Sequence, residues 1–289
     1  MSAWVIFDVN NLAWRAYHTT GGLKYGDVQT GVTYGVLREV RMQLDRHMTT
    51  NAVFCFDSKE SVRAKQFPGY KAKRKARQFT DEEQAAYAGV QEQIDALKKD
   101  YLPAIGFKNR LLVKGFEADD MIAATVRKIW VMEESPEIQI ISSDKDLYQL
   151  LAENVTLWQP GREGKPTTRE SFFEEFGIVP EQWPDVKAVA GCDTDDIPGI
   201  KGVGEITAAK YFSKELTEGK KFDLIDDFVR PGIHSLAPKI DQFRLNLKLV
   251  TLPHEDLETD PIRIYKDCKP TDRQWQRVLD RLGIKSLKV

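Results

Sequence analysis

The feature that most restricts this chain is a repeat of short apolar strands, each followed by a helix and each ending close to an acidic residue. Residues 3–8 read as a β-branched and aromatic strand, and residues 10–18 as a helix opened by a capping asparagine, Asn10. The unit recurs: 31–48 is helical by period, 51–57 a strand, 81–101 a helix and 107–113 a strand. Residues 117–132 form an amphipathic helix, 138–142 a buried strand and 144–151 a helix. Strands alternating with helices need right-handed crossovers, so the expected fold class is α/β, a mainly parallel sheet flanked by helices. Beyond about residue 164 the strand pattern fades. Helices over 169–176, 180–191 and 205–217 predict a smaller helical region spanning 166–289, behind a core of residues 1–165.

At 289 residues the chain can bury a sizeable core, and 42% hydrophobic with 30% charged residues is an ordinary water-soluble balance. No stretch approaches the roughly 18 apolar residues of a membrane helix, and no basic-then-apolar leader opens the chain, so a cytoplasmic protein without a membrane partner is expected. Cys55, Cys192 and Cys268 are isolated and odd in number, which argues against a disulfide framework and against zinc. Net charge is −2, yet between Lys59 and Arg77 eight basic residues face a single acid, Glu60. A basic segment therefore sits in an otherwise mildly acidic protein.

Ligand sites of open α/β sheets lie beyond the carboxyl ends of the strands. Asp8 ends the first strand and Asp57 the second; Glu117, Asp119 and Asp120 follow the third, and Asp144 and Asp146 the fourth. Any one of these could merely cap a helix or complement its dipole. Together they would repel one another strongly unless cations neutralised them. Clustered hard oxygens without His or Cys suit Mg²⁺ or Mn²⁺, and two such ions can serve both the attacking water and the leaving oxygen of a phosphoryl transfer. No Walker loop, nucleophile elbow or dinucleotide fingerprint competes.

Between 59 and 80 no period is convincing, and a loop of this length is usually functional or mobile. Its Phe67-Pro68-Gly69-Tyr70-Lys71-Ala72-Lys73-Arg74-Lys75 run interleaves aromatics with cations, as surfaces that stack bases and screen phosphates do. Pro198-Gly199-Ile200-Lys201-Gly202-Val203-Gly204 leads into a helix near Glu205, where glycines admit a phosphate to exposed amides. Such a hairpin would grip a duplex backbone without reading bases, with Val203 and Ile206 as its core.

Read together, these segments resemble the 5′-nuclease family of flap endonucleases, phage 5′-to-3′ exonucleases and the 5′-nuclease domain of bacterial DNA polymerase I. The carrying motifs are Glu117-Ala118-Asp119-Asp120, Ser143-Asp144-Lys145-Asp146-Leu147-Tyr148-Gln149-Leu150-Leu151 and Ile197-Pro198-Gly199-Ile200-Lys201-Gly202-Val203-Gly204, with Phe56-Asp57, Arg63, Tyr70-Lys71 and Arg74. The resemblance implies a PIN-like core and a first metal site from Asp8, Asp57, Glu117, Asp119 and Asp120. It implies a second from Asp144, Asp146 and Asp195, with Mg²⁺ or Mn²⁺ bound at both. Lys71 and Arg74 would contact the scissile phosphate, Tyr70 would stack beside it, and the residues that follow, within a basic region 59–101, would arch over the 5′ strand. A helix-three-turn-helix element near 186–218 would hold duplex DNA, with K⁺ on its carbonyls.

DNA contacts are expected from Arg63, Lys73, Lys75, Arg77, Gly199, Lys201, Gly202, Gly204 and Lys210. The implied partner is DNA with a 5′ flap or a 5′ end adjoining duplex, cut by a stand-alone monomer active in replication or repair. One departure matters: in Gly191-Cys192-Asp193-Thr194-Asp195-Asp196, Cys192 stands where a second-site Asp is expected and Asp196 where Asn is. The second site should then be weaker than the family's and favour Mn²⁺, unless Asp193 substitutes. The alternatives are a DNA-junction-binding protein with a crippled centre and an RNA-cutting relative.

Overall fold

The chain enters β1 (Ala3–Asp8), buried along nearly its whole length, and turns without a loop into α1 (Val9–Thr20). A two-stranded hairpin, β2 (Lys24–Tyr25) and β3 (Val28–Gln29), precedes α2 (Gly31–Arg46) and β4 (Ala52–Cys55). Next come α3 (Val62–Gln66), α4 (Ala72–Ala76), α5 (Asp81–Ala96), a π-helical turn at Leu97–Tyr101, α6 (Leu102–Ile105) and β5 (Arg110–Leu111). Helix α7 (Ala118–Met132), β6 (Glu137–Ile141), a 3₁₀ turn at Lys145–Leu150 and β7 (Val155–Trp158) complete the α/β part. This computed structural model describes residues 2–161, 165–215, 240–266 and 268–287.

The sheet has the order β5-β4-β1-β6-β7, and every pair is parallel. Asp8 lies level with Cys55 and Phe7 with Ile141, so the strands finish along one edge. Chain direction across the sheet reverses between β1 and β6, which opens a crevice there. One core lies on each face. The first joins Trp4 and Ile6 to Met121 and Ile122 of α7 and to Phe172, Trp183 and Leu249 of the helical region. Residues on either side of position 165 therefore share one hydrophobic interior. The second packs Val5 and Phe7 against α1, α2, Ile94 and Trp275.

Past β7 the helices are α8 (Arg169–Phe176), α9 (Trp183–Ala190), α10 (Glu205–Glu215) and two more at Ile240–Val250 and Asp272–Arg281. The predicted end of the third, at 217, and residues 216–218 of the expected helix-three-turn-helix lie outside the described residues. No helix among those described is long and apolar enough to cross a membrane.

Several local expectations need correction. Asp8, not Asn10, caps α1: its carboxylate accepts from the Asn11 amide at 3.1 Å, because the strand runs directly into the helix. Strands expected over 51–57 and 107–113 shrink to β4 and β5, since the backbone at Asp57 leaves the ladder to bond the Asn10 side chain. Segment 59–80, read as lacking structure, holds α3, capped by Ser61, and α4. Residues 144–151 make a tight 3₁₀ turn rather than an α-helix. Strand β7 and the β2–β3 hairpin had no clear sequence signal.

Candidate active site

Because the strands finish together, the acids that follow them meet. Asp8 is only 6% exposed; its carboxylate also accepts from Ser142 Oγ at 2.8 Å. Burial, and next the neighbouring charge of Asp57, push its pKa up to about 7. Asp57 accepts from the Ala118 amide at 2.8 Å, the first free N–H of α7, and burial raises its pKa too. Glu117, just before α7, accepts from Tyr70 Oη and Lys71 Nζ, both at 2.9 Å. Asp119 sits in the first turn of α7, where burial and then the charge of Asp120 hold its pKa well above the usual carboxylate range. These four form an inner group.

An outer group lies across the crevice. Asp144 lines the cavity and accepts from the Asp146 amide at 2.8 Å; the surrounding protein's desolvation and then the charge of Asp146 raise its pKa to about 6. Asp195, whose pKa burial also raises, has Oδ1 3.6 Å from Lys71 Nζ, while its carbonyl accepts the Lys71 amide at 2.9 Å. Asp146 meets a residue that sequence reasoning missed. Lys187 of α9, 6% exposed, places Nζ 2.9 Å from Asp146 Oδ1 and 3.2 Å from Glu205 Oε1. Its signal was a lysine one turn after the buried Trp183 and between Val186 and Ala188, where an apolar residue belongs.

Both groups, with Lys71, Arg74, Lys187 and Cys192, line one open cavity of about 630 Å³. A depression of about 760 Å³ at the other end of the sheet, around His47, Glu133, Glu134 and Glu137, shows no comparable convergence of strand ends. Lys71 takes a left-handed conformation, φ 54°, that turns its ammonium toward the acids. Burial opposes its charge, but Glu117 and Asp195 hold its pKa above the ordinary lysine value. Among the described residues no three Asp, Glu, His or Cys side chains already close on a single point. The donor set nevertheless fits hard divalent cations: seven carboxylates line one cavity, five of them with raised pKa values, and Lys71 and Lys187 supply only part of the countercharge.

The structure separates the expected site residues. Asp120 is fully buried, and its oxygens accept from Arg63 Nη1 at 2.6 Å, Arg63 Nη2 at 2.8 Å, the Glu117 amide at 3.1 Å and the His254 amide at 2.8 Å. These four donors occupy its oxygens, and it is not among the residues that line the cavity. Arg63, 2% exposed, is its partner rather than a DNA contact. Tyr70, 2% exposed, cannot stack on a substrate; its hydroxyl orients Glu117, and its ring lies 4.8 Å from Lys71 Nζ. Cys192 lines the cavity, and burial and then Asp195 push its thiol pKa up. Asp193 is exposed and is not among the residues that line the cavity. Asp196, in a left-handed turn at φ 56°, pairs with Lys73 at 2.9 Å. Lys75 and Arg77 are exposed, Arg77 bonded to Glu83 at 2.6 Å.

The glycine hairpin packs beside the outer group. A Cβ on Gly199 would lie 1.9 Å from the Ala190 carbonyl oxygen, so only glycine fits, whereas one on Gly204 would meet nothing within 4 Å. Asn246 Nδ2 ties the turn down, donating to the Ala188 and Pro198 carbonyls at 2.8 Å each. Val203 packs on the core as expected, but Ile206 is 53% exposed on the first turn of α10 and is not hairpin core. Lys201, Gly202 and Lys210 also face solvent.

The chain is 31% identical over 299 residues to DNA polymerase I of Mycobacterium bovis and 34% over 290 residues to the thermostable DNA polymerase I of Thermus aquaticus. Each alignment covers 98% of this chain, which spans about a third (31% and 32%) of those relatives. Among solved structures, bacteriophage T5 5′-exonuclease superposes with a TM-score of 0.73 at 23% identity, covering 97% of this chain and 96% of that one. The catalytic core of Rad2 with DNA substrate gives 0.53 at 15% identity, covering 97% and 88%. These two likenesses concern the fold. Residues 3–177 match the family model of the 5′-3′ exonuclease N-terminal, resolvase-like domain, and the chain belongs to that family.

Proposed function

We propose that the chain is a structure-specific 5′ nuclease that hydrolyses DNA phosphodiester bonds beside a 5′ flap or at a 5′ end adjoining duplex. The observation that carries this is the single cavity in which acids from four strand ends face Lys71 and Arg74 next to the glycine hairpin. Asp8, Asp57, Glu117 and Asp119 would hold one Mg²⁺ or Mn²⁺, and Asp144, Asp146 and Asp195 a second. Such ions supply Lewis acidity to the attacking water and to the leaving oxygen. Lys71 and Arg74 bind the scissile phosphate, and Tyr70 fixes the Glu117 carboxylate that steers Lys71. Lys73, Lys75 and Arg77, along α4 and the start of the 59–101 region, screen the 5′ strand. Gly199, Lys201, Gly202, Gly204 and Lys210 serve the duplex backbone, with K⁺ a candidate on the hairpin carbonyls. The division into a core of 1–165 and a DNA-binding region of 166–289, and a monomeric cytoplasmic enzyme, complete the proposal.

A relative's structure is described as a T5 flap endonuclease complex with DNA and metal ions, in keeping with this reading. The test is cleavage of an end-labelled 5′-flap DNA and its RNA counterpart across Mg²⁺ and Mn²⁺ titrations. DNA cleavage near the flap base is expected, with a high Mg²⁺ requirement and a preference for Mn²⁺. Binding without cleavage at any ion concentration would establish the junction-binding alternative, and preferential RNA cleavage the other.

A further inference from the structure

We propose that Lys187 is an internal counter-ion of the outer carboxylate group, releasing Asp146 to a divalent cation by shifting its ammonium onto Glu205. This rests on the metal-dependent reading above. The Lys187 side chain is only 8% exposed, and its Nζ bridges Asp146 at 2.9 Å and Glu205 at 3.2 Å. An ion entering the outer group must displace that ammonium. Among the described residues one inner acid of four, Glu117, has an ammonium within ion-pair distance (Lys71 at 2.9 Å), against two of three outer acids, Asp146 (Lys187 at 2.9 Å) and Asp195 (Lys71 at 3.6 Å), so the inner group takes its ion first. Cys192 deepens the difference by putting a thiol in the same wall.

Glu205 makes the release possible. It is the first residue of α10, directly behind the glycine hairpin, and Lys145 also reaches it at 3.3 Å. With the ammonium moved onto Glu205, positive charge gathers where a duplex phosphate would approach the hairpin. Phosphate there and a cation at Asp146 thus favour the same position of Lys187, which makes the outer ion and the duplex mutually stabilising.

Binding of Mn²⁺ alone, measured without nucleic acid by electron paramagnetic resonance of the free ion, tests this. The wild-type chain should bind one ion tightly and a second weakly, and Asp119→Asn should lose the tight one. Lys187→Met should tighten the second by about tenfold or more, since a unit charge at contact range carries several kcal/mol even when well screened. Glu205→Gln should weaken it, because Lys187 then has only Asp146. Lys145→Met removes an equal charge from Glu205 without touching Asp146 and should change little. Equal effects of Lys145→Met and Lys187→Met, or shifts of the same sign for Lys187→Met and Glu205→Gln, would overturn the proposal, as would two tight sites in the wild type. If the wild type bound no Mn²⁺, the metal-dependent reading would fall and this one with it. Ion binding as expected without DNA cleavage would remove the nuclease reading and leave this one standing.

Discussion

Asp119 and Asp120 are adjacent, share a charge and occupy the same motif, yet they should respond to the same substitution in opposite ways. Asp120→Asn removes the anion from a fully buried pair with Arg63, leaving a guanidinium with no countercharge at 2.6–2.8 Å. Breaking such a pair costs about 3–5 kcal/mol. At roughly 2–4 °C per kcal/mol for a chain of this order, the melting temperature should drop by about 6–20 °C. Asp119→Asn instead relieves a carboxylate whose pKa burial and Asp120 hold well above normal, so the metal-free protein should melt at the same temperature or higher. Cleavage should nevertheless fall by at least about 100-fold, since a lost ligand removes several kcal/mol of transition-state stabilisation. Calorimetry in a chelator, paired with flap cleavage below both melting temperatures, reads the two effects separately. If Asp120→Asn left stability intact and abolished cleavage as Asp119→Asn does, Asp120 would be a ligand and the buried-pair assignment wrong.

Lys71→Ala should lower turnover about 100- to 1,000-fold while changing DNA affinity little, because its cation stabilises charge that develops in the transition state; a loss confined to affinity and its salt slope would make it an ordinary phosphate contact. The pH dependence has a definite sign: Asp8 has its pKa raised from 3.8 to about 7, so the stability linked to its proton is full below pH 3.8 and lost as pH rises through 7. Metal-free Asp8→Asn should therefore gain melting temperature relative to wild type between about pH 4 and 7, and a pH-independent difference would contradict this. Gly199→Ala should disrupt the hairpin and weaken duplex binding, its Cβ colliding with the Ala190 carbonyl, whereas Gly204→Ala, which meets nothing, should bind nearly as wild type; equal losses in gel-shift titrations would refute the packing argument.

The parallel α/β sheet was legible because apolar strand runs and helical period are local signals, and β1 falls on residues 3–8 as read. What escaped were elements set by tertiary context. Strand β7 has only four residues and gains its place by pairing with β6. Helices α3 and α4 are five residues each, too short to show a period, and exist because Ser61 caps one and the Lys71 left-handed turn starts the other. A two-residue β5 survives only through β4, its register set by the Phe54–Arg110 pairing.

For the site, the sequence could place acids at the strand ends but not say which way each carboxylate points. Successive residues in the first turn of α7 diverge by about 100°, so Asp119 turns to the cavity while Asp120 turns inward to Arg63. The other uncertain pair lies past the end of α9, where Cys192 is extended and Asp193 opens a 3₁₀ turn. Cys192 faces the cavity, and Asp193, one residue on, faces solvent. A motif fixes spacing along the chain, whereas ligation depends on direction, and direction comes from the partners that a distant segment supplies: Arg63 from α3 for Asp120, Tyr70 for Glu117, Ser142 for Asp8. Lys187 shows the converse. An isolated lysine on an apolar helix face carries no motif, yet the fold seats its ammonium among the outer carboxylates, 2.9 Å from Asp146, making it part of the site's charge balance.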